Sequence, residues 1–68
     1  MTVELNGAPA ELPEGATVVD AIEAAGAAPE GRGVAAAVDG EVIPRGAWTE
    51  IRLRAGQRVE VVMAVQGG

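Results

Sequence analysis

The sequence ends in Gly67-Gly68 directly after a strand-like run, and the Gly68 carboxylate is the group best suited to take part in chemistry. Glycine has no Cβ atom, so such an end can pass through a narrow channel in another protein and bring its carboxylate to a buried site. We therefore predict that Gly68 is modified by a partner and that Gln66 and Gly67 thread into the channel ahead of the domain. The alternative is a chain end without a role, since chain ends tolerate such residues.

The side chains offer little catalytic chemistry of their own. The chain contains neither cysteine nor histidine, which removes disulfides, thiolate and imidazole metal ligands, and the most common catalytic nucleophile and base. A domain of 68 residues buries only about 60% of the surface that its unfolded chain exposes, which argues against a deep cleft. These features predict that the chain's own side chains perform no catalysis and bind no metal or cofactor, so that any chemistry at Gly68 depends on a partner.

The charge of the chain indicates the kind of partner. Ten acidic residues against five basic ones give a net charge of -5, which disfavours nucleic acid and anionic membranes and favours a protein with a basic surface. All the basic residues are arginines. We interpret four of them as solvated charges, with pairing to acidic groups of a partner as the alternative: Arg32, Arg45, Arg52 and Arg54. The longest apolar runs, residues 34–38 and 61–65, are too short for a membrane span or a secretory signal. We predict a cytoplasmic protein.

The first element that must position the chain end is a hairpin. Residues 2–5 alternate between polar and apolar side chains, Asn6-Gly7 is the strongest two-residue hairpin signal, and residues 8–12 return as a second strand. Pro9 cannot donate a hydrogen bond to a sheet ladder, so it places this second strand at an edge.

A short helix is predicted next. Thr17 and Asp20 have the spacing of a capping box, with Asp in place of the usual Glu or Gln. One apolar stripe follows at helical spacing, formed by Val18, Ile22 and Ala25. Gly26 is placed to end the helix in the left-handed conformation after about two turns.

The remaining strands follow the helix. Residues 34–38 read as a buried strand, Asp39-Gly40 turns the chain back into residues 41–43, and residues 58–65 form the longest strand. Trp48, the single aromatic residue, is predicted to pack at the edge of the core. The order predicts an α+β fold of the β-grasp class, a mixed sheet of about five strands with one helix packed on it. We predict a domain over residues 1–65 and a flexible tail over residues 66–68.

Nearly the whole chain resembles the ThiS family, the sulfur carrier proteins of thiazole synthesis for thiamine, which share the ubiquitin fold. The resemblance rests on residues 5–7, 12–18 and 38–45, on Trp48, Leu53, Gly56 and residues 58–61, and on residues 64–68 at the diglycine end. Gln57 departs from the pattern, because the family usually has Asp after the turn glycine. This substitution is expected to alter a hydrogen bond in the turn.

The resemblance implies a carrier protein rather than an enzyme, with a reaction at Gly68 that partner enzymes perform. A ThiF-like adenylating enzyme, similar to the ubiquitin-activating enzymes, would join the carboxylate to AMP using ATP and magnesium. Sulfur from a donor such as a cysteine desulfurase or a rhodanese-type protein would then displace AMP and leave a thiocarboxylate. A ThiG-like thiazole synthase would receive the sulfur.

Docking is predicted to use the sheet face beside the chain end. Alternation in the last strand puts Val59, Val61, Met63 and Val65 on one side. Arg58 and Glu60 mark the other side as outward, so Val62 and Ala64 are expected to be exposed and to contact a partner, although two exposed apolar residues are also ordinary in a monomer. Two other functions remain open at this point: the MoaD-like sulfur carrier of molybdopterin synthesis, and a ubiquitin-like interaction or conjugation module.

Overall fold

The computed structural model describes residues 1–64, and residues 65–68 lie outside the described part. The chain forms two strands, a helix, two more strands, a short 3-10 helix and a last strand: β1 (Thr2–Leu5), β2 (Ala8–Glu11), α1 (Val18–Ala24), β3 (Val34–Val38), β4 (Glu41–Ile43), the 3-10 helix (Arg45–Ala47) and β5 (Arg58–Met63). The predicted boundary between a domain of residues 1–65 and a tail of residues 66–68 falls outside the described residues.

The strands form one mixed sheet in the order β2-β1-β5-β3-β4. β1 and β5 pair in parallel at its centre, and all other neighbours pair antiparallel. β2 lies at an edge, as Pro9 predicted. This architecture confirms the predicted β-grasp fold, and it makes β5, the strand that leads toward the chain end, a central strand held on both sides.

Both hairpins turn at the predicted residues. Asn6 and Gly7 have φ of 50° and 85°, and Asp39 and Gly40 have φ of 50° and 84°. Two successive positive φ angles match the type I′ turn, whose twist fits that of the flanking strands. Asn6 also ties the first hairpin to β5, because its Oδ1 accepts from the Val61 backbone N at 2.8 Å.

The helix begins and ends as predicted. The Thr17 backbone N donates to Asp20 Oδ2 at 2.8 Å, which is one half of a capping box. Gly26, at φ 87°, follows the helix in the left-handed conformation. Val18 and Ile22 of the predicted stripe are fully buried against the sheet, and Ala25 is half-buried.

The core lies between α1 and one face of the sheet. It comprises Val3, Leu5, Leu12, Ala16, Val18, Ala21, Ile22, Ala27, Ala36, Val38, Trp48, Leu53, Val59 and Val61. Trp48 is only 3% exposed, in agreement with its predicted packing. The prediction of a fully buried strand over residues 34–38 is wrong, because only Ala36 and Val38 of β3 are buried. A single helix covers one face of the sheet and leaves the other face to solvent.

The last strand is shorter than predicted. The sequence predicts a strand over residues 58–65, whereas β5 ends at Met63. Ala64 N still donates to Gly33 O at 2.7 Å. Gly33 precedes β3 and has φ of 74°, so the backbone turns away there and the ladder does not continue.

Candidate functional site

The described part of the chain ends at Ala64, two residues before the predicted tail of residues 66–68. Gly68, Gly67 and Gln66 lie outside the described residues, so their predicted roles stay predictions. Of the predicted docking residues, Val62 is 62% exposed and Ala64 is exposed as well. These two residues lie where β5 leaves the sheet.

The uncovered face of the sheet carries an apolar surface around Val62. Strand register places Val62 opposite Ala35, and Ala37 opposite Val42. We call these four residues, Ala35, Ala37, Val42 and Val62, the outer patch. With Ala36 and Glu60 they line a shallow depression of about 160 Å³. Val42 is 70% exposed and Val62 is 62% exposed, so two large apolar side chains face solvent in this patch.

Sequence reasoning found only one member of the outer patch. The alternation of β5 predicts an exposed Val62, whereas the apolar run of residues 34–38 predicts a buried strand and gives no sign that Ala35 and Ala37 face outward. Val42 could have been found from the pairing around Asp39-Gly40, because a two-residue turn places it opposite Ala37. The outward position of Ala35 and Ala37 follows from the number of helices, because one helix can cover only one face of the sheet.

Met63 is another exposed apolar residue at this end of β5. Alternation places it on the inner side with Val59 and Val61, which are buried, yet Met63 is 48% exposed. A seven-residue helix is about 10 Å long and a six-residue strand is about 20 Å long. The helix therefore leaves the end of β5 uncovered.

Arg45 holds a neighbouring loop by two backbone carbonyls. Its Nη1 donates to Pro29 O at 2.6 Å, and its Nη2 donates to Gly31 O at 2.7 Å. The guanidinium lies over the Trp48 ring, 4.7 Å from its centroid. Arg45 is exposed, as its interpretation as a solvated charge predicts, and its planar fork also matches two carbonyl groups while its face stacks on an aromatic ring.

Gln57 keeps the turn before β5 hydrogen-bonded. Its Oε1 accepts from Arg54 N at 2.7 Å, and its Nε2 donates to Asp39 Oδ2 at 3.2 Å. The longer side chain thus serves this turn and also bridges it to the second hairpin. Gln57, where the family usually has Asp, therefore keeps the turn hydrogen-bonded.

Two carboxylates have lowered pKa values, and both lie away from Ala64. The pKa of Asp39 lies below its usual value because Arg58 N donates to Oδ1 at 3.0 Å, with further contributions from Gln57 and from the nearby arginine charges. The pKa of Glu11 is lowered by a hydrogen bond from the Thr2 hydroxyl and by the charge of the chain's amino terminus. Each of these two carboxylates accepts a hydrogen bond from a neighbouring strand and so stabilises the pairing of strands. Neither is placed as a catalytic acid or base near Ala64.

Within residues 1–64, no three side chains of the kinds that bind metals come together. No helix in this part of the chain is long and apolar enough to cross a membrane.

Comparison with known proteins gives a consistent result. The model of the ThiS family matches residues 3–68, which includes the diglycine end. Among solved structures, the thiamine biosynthesis protein ThiS of Geobacter metallireducens is similar, with a TM-score of 0.77, 27% sequence identity and 100% of each chain covered. No curated protein sequence matches the chain.

Proposed function

Because the chain belongs to the ThiS family, we propose that it is a sulfur carrier protein that serves thiamine biosynthesis and is not itself an enzyme. The observation that carries the proposal is the match to the family over residues 3–68, supported by similarity along the whole chain to a solved thiamine biosynthesis protein. No feature of the described residues favours the molybdopterin carrier or a conjugation module instead.

The chemistry follows from the weakness of a carboxylate as an electrophile. An oxygen of the Gly68 carboxylate attacks the α-phosphorus of ATP, and pyrophosphate leaves. Magnesium and cationic groups of the adenylating enzyme stabilise the charge that develops on the phosphates. The acyl adenylate then has AMP as a good leaving group.

Sulfur enters at the activated carbon. A persulfide on a cysteine desulfurase or rhodanese-type donor attacks the acyl carbon, AMP leaves, and an acyl disulfide forms. A thiol cleaves the sulfur–sulfur bond, which leaves the thiocarboxylate on Gly68 and a new disulfide on the donor side. A thiazole synthase then receives the sulfur.

We propose that the outer patch, with Ala64 beside it, docks on the adenylating enzyme. The apolar residues Val42 and Val62 lie on the uncovered face of the sheet, so a partner that covers them also lies near Ala64, four residues before Gly68. Farther from the chain end the same face becomes charged, with Arg58 Nε 3.3 Å from Glu4 Oε2. The net charge of -5 favours a partner surface with an apolar centre and basic surroundings.

Formation of the acyl adenylate tests the proposal. We expect the chain to support exchange of labelled pyrophosphate into ATP by an adenylating enzyme of the ThiF type. The matched control is the same chain with one alanine added after Gly68, which preserves the fold and removes the glycine carboxylate. Equal exchange with both chains, or none with an enzyme that is active on another carrier, would reject the proposal.

A further inference from the structure

The loop over residues 27–33 connects the helix to β3, and two of its backbone carbonyls are bound by one side chain. Pro29 O and Gly31 O accept the two hydrogen bonds of the Arg45 guanidinium, at 2.6 and 2.7 Å. The guanidinium stacks on the ring of Trp48. The ring is held in place because its Nε1 donates to Ile43 O at 2.8 Å. Arg45 therefore connects the loop to the core through a rigid aromatic residue.

The far end of this loop contacts the point where the chain leaves the sheet. Gly33 O accepts from Ala64 N at 2.7 Å. A Cβ atom added to Gly33 would lie 2.6 Å from the Ala64 Cβ, and the φ of Gly33 is 74°, a conformation that other residues rarely adopt. The backbone of Gly33 thus holds Ala64 by a short hydrogen bond and a close steric contact.

We propose that Arg45 is a positioning residue for the reactive end of the chain. It fixes the loop over residues 27–33, and through Gly33 it fixes the position of Ala64, the residue that precedes the last four residues of the chain. The inference deepens the proposed function, because its consequence for activation requires that Gly68 be adenylated. The claim that Arg45 fixes Ala64 depends only on the contacts of Arg45 and Gly33.

The geometry explains why an arginine is needed. A guanidinium presents parallel donors in a plane, so it can satisfy two carbonyls and stack on Trp48 at once. An ammonium group is a compact charge without that fork, so a lysine at position 45 would keep the charge and lose the paired contact. Arg45→Lys therefore separates the role of geometry from the role of charge.

The first test measures the hydrogen bond at Ala64 in the free protein. Amide hydrogen exchange is followed by NMR in the wild type, Arg45→Gln, Arg45→Lys and the control Arg54→Gln, which changes another exposed arginine. We expect the Ala64 amide to exchange roughly tenfold faster in both Arg45 variants, while the amides at the centre of β3 keep their rates. Arg54→Gln should leave the Ala64 rate unchanged.

Two outcomes overturn the inference. One is an unchanged Ala64 rate in both Arg45 variants. The other is an equal acceleration of all β3 and β5 amides, which would mean a general loss of stability instead of a local release. Arg45→Lys keeps the charge and the stem of the side chain, so it provides the comparison should Arg45→Gln fold poorly.

The second test measures delivery of the chain end to the enzyme. In pyrophosphate exchange, Arg45→Lys should lower the maximal rate several-fold and leave the half-saturation concentration near that of the wild type, because the outer patch is unchanged. A rise in half-saturation alone would contradict a positioning role. If the wild type supports no pyrophosphate exchange, the proposed function fails. The amide exchange rate of Ala64 would still show whether Arg45 fixes that residue.

Discussion

Asp39 connects the second hairpin to the start of β5. Its Oδ1 accepts from Arg58 N at 3.0 Å, and its Oδ2 accepts from Gln57 Nε2 at 3.2 Å. Its backbone has φ of 50°, which Asp and Asn tolerate better than most residues. One exposed turn residue thus fixes the register at which the central strand begins.

The lowered pKa of Asp39 predicts a dependence of stability on pH. Because the folded state holds the carboxylate more strongly than the unfolded chain does, its contribution is complete above the ordinary value of about 3.8 and is lost as the pH falls through the lower folded pKa. We expect Asp39→Asn to flatten the fall in unfolding free energy between about pH 5 and pH 2, since Asn keeps the acceptor but does not titrate. Urea titrations at several pH values measure this, and parallel curves for the two proteins would contradict the assignment.

Gly67 is predicted to act through the width of the partner's channel. We expect Gly67→Val to abolish adenylation with the fold intact, because a β-branched side chain widens the bore that the chain end requires. Pyrophosphate exchange measures the loss, and circular dichroism melts control for folding. Normal exchange by Gly67→Val at native stability would reject the steric argument.

At the scale of the elements, Asn6 joins the first hairpin to the central strand. Its Oδ1 accepts from Val61 N at 2.8 Å, and its backbone N donates to Val59 O at 2.9 Å. We expect Asn6→Gly to lower the free energy of unfolding by about 1–3 kcal/mol, because it leaves Val61 N without its partner while glycine still accepts the positive φ. Chemical denaturation measures the change. A loss below about 0.3 kcal/mol would mean that water replaces the side chain at no cost.

The outer patch predicts a separate effect on docking. A fully buried Val contributes about 1.5–3 kcal/mol, so Val62→Asp should raise the half-saturation concentration in pyrophosphate exchange by roughly ten- to a hundredfold. Ile51→Asp is the matched control, since Ile51 is exposed and lies outside the outer patch. Equal effects of the two substitutions would indicate a general electrostatic cost and would reject the patch as the docking surface.

The elements that sequence predicted well are those fixed by local chemistry. Asn6-Gly7 and Asp39-Gly40 each define a turn by their own conformational preferences, and the cap at Thr17 depends on residues three apart. The half-exposed β3 and the bonds of Arg45 depend instead on which face the helix covers and on how a distant loop folds back. Such contacts are tertiary, so no local pattern encodes them.

At the scale of the whole molecule, the described chain ends beside a strand in the middle of the sheet. β5 lies between β1 and β3, and its inner side is anchored by Val59 and Val61 in the core. The opposite face stays uncovered and carries the outer patch. Within residues 1–64, the sheet thus holds β5 on both sides and leaves the outer patch, our proposed docking surface, exposed beside Ala64.

The mass of the intact chain tests the central claim most directly. The chain is incubated with its adenylating enzyme, ATP, magnesium and a persulfide donor with a reducing thiol. We expect the mass increment of one sulfur replacing one oxygen, located at Gly68 by fragmentation, and no increment in the chain that carries an added alanine after Gly68. A chain that keeps only its carboxylate, with an enzyme and a donor proven active on another carrier, would contradict the account.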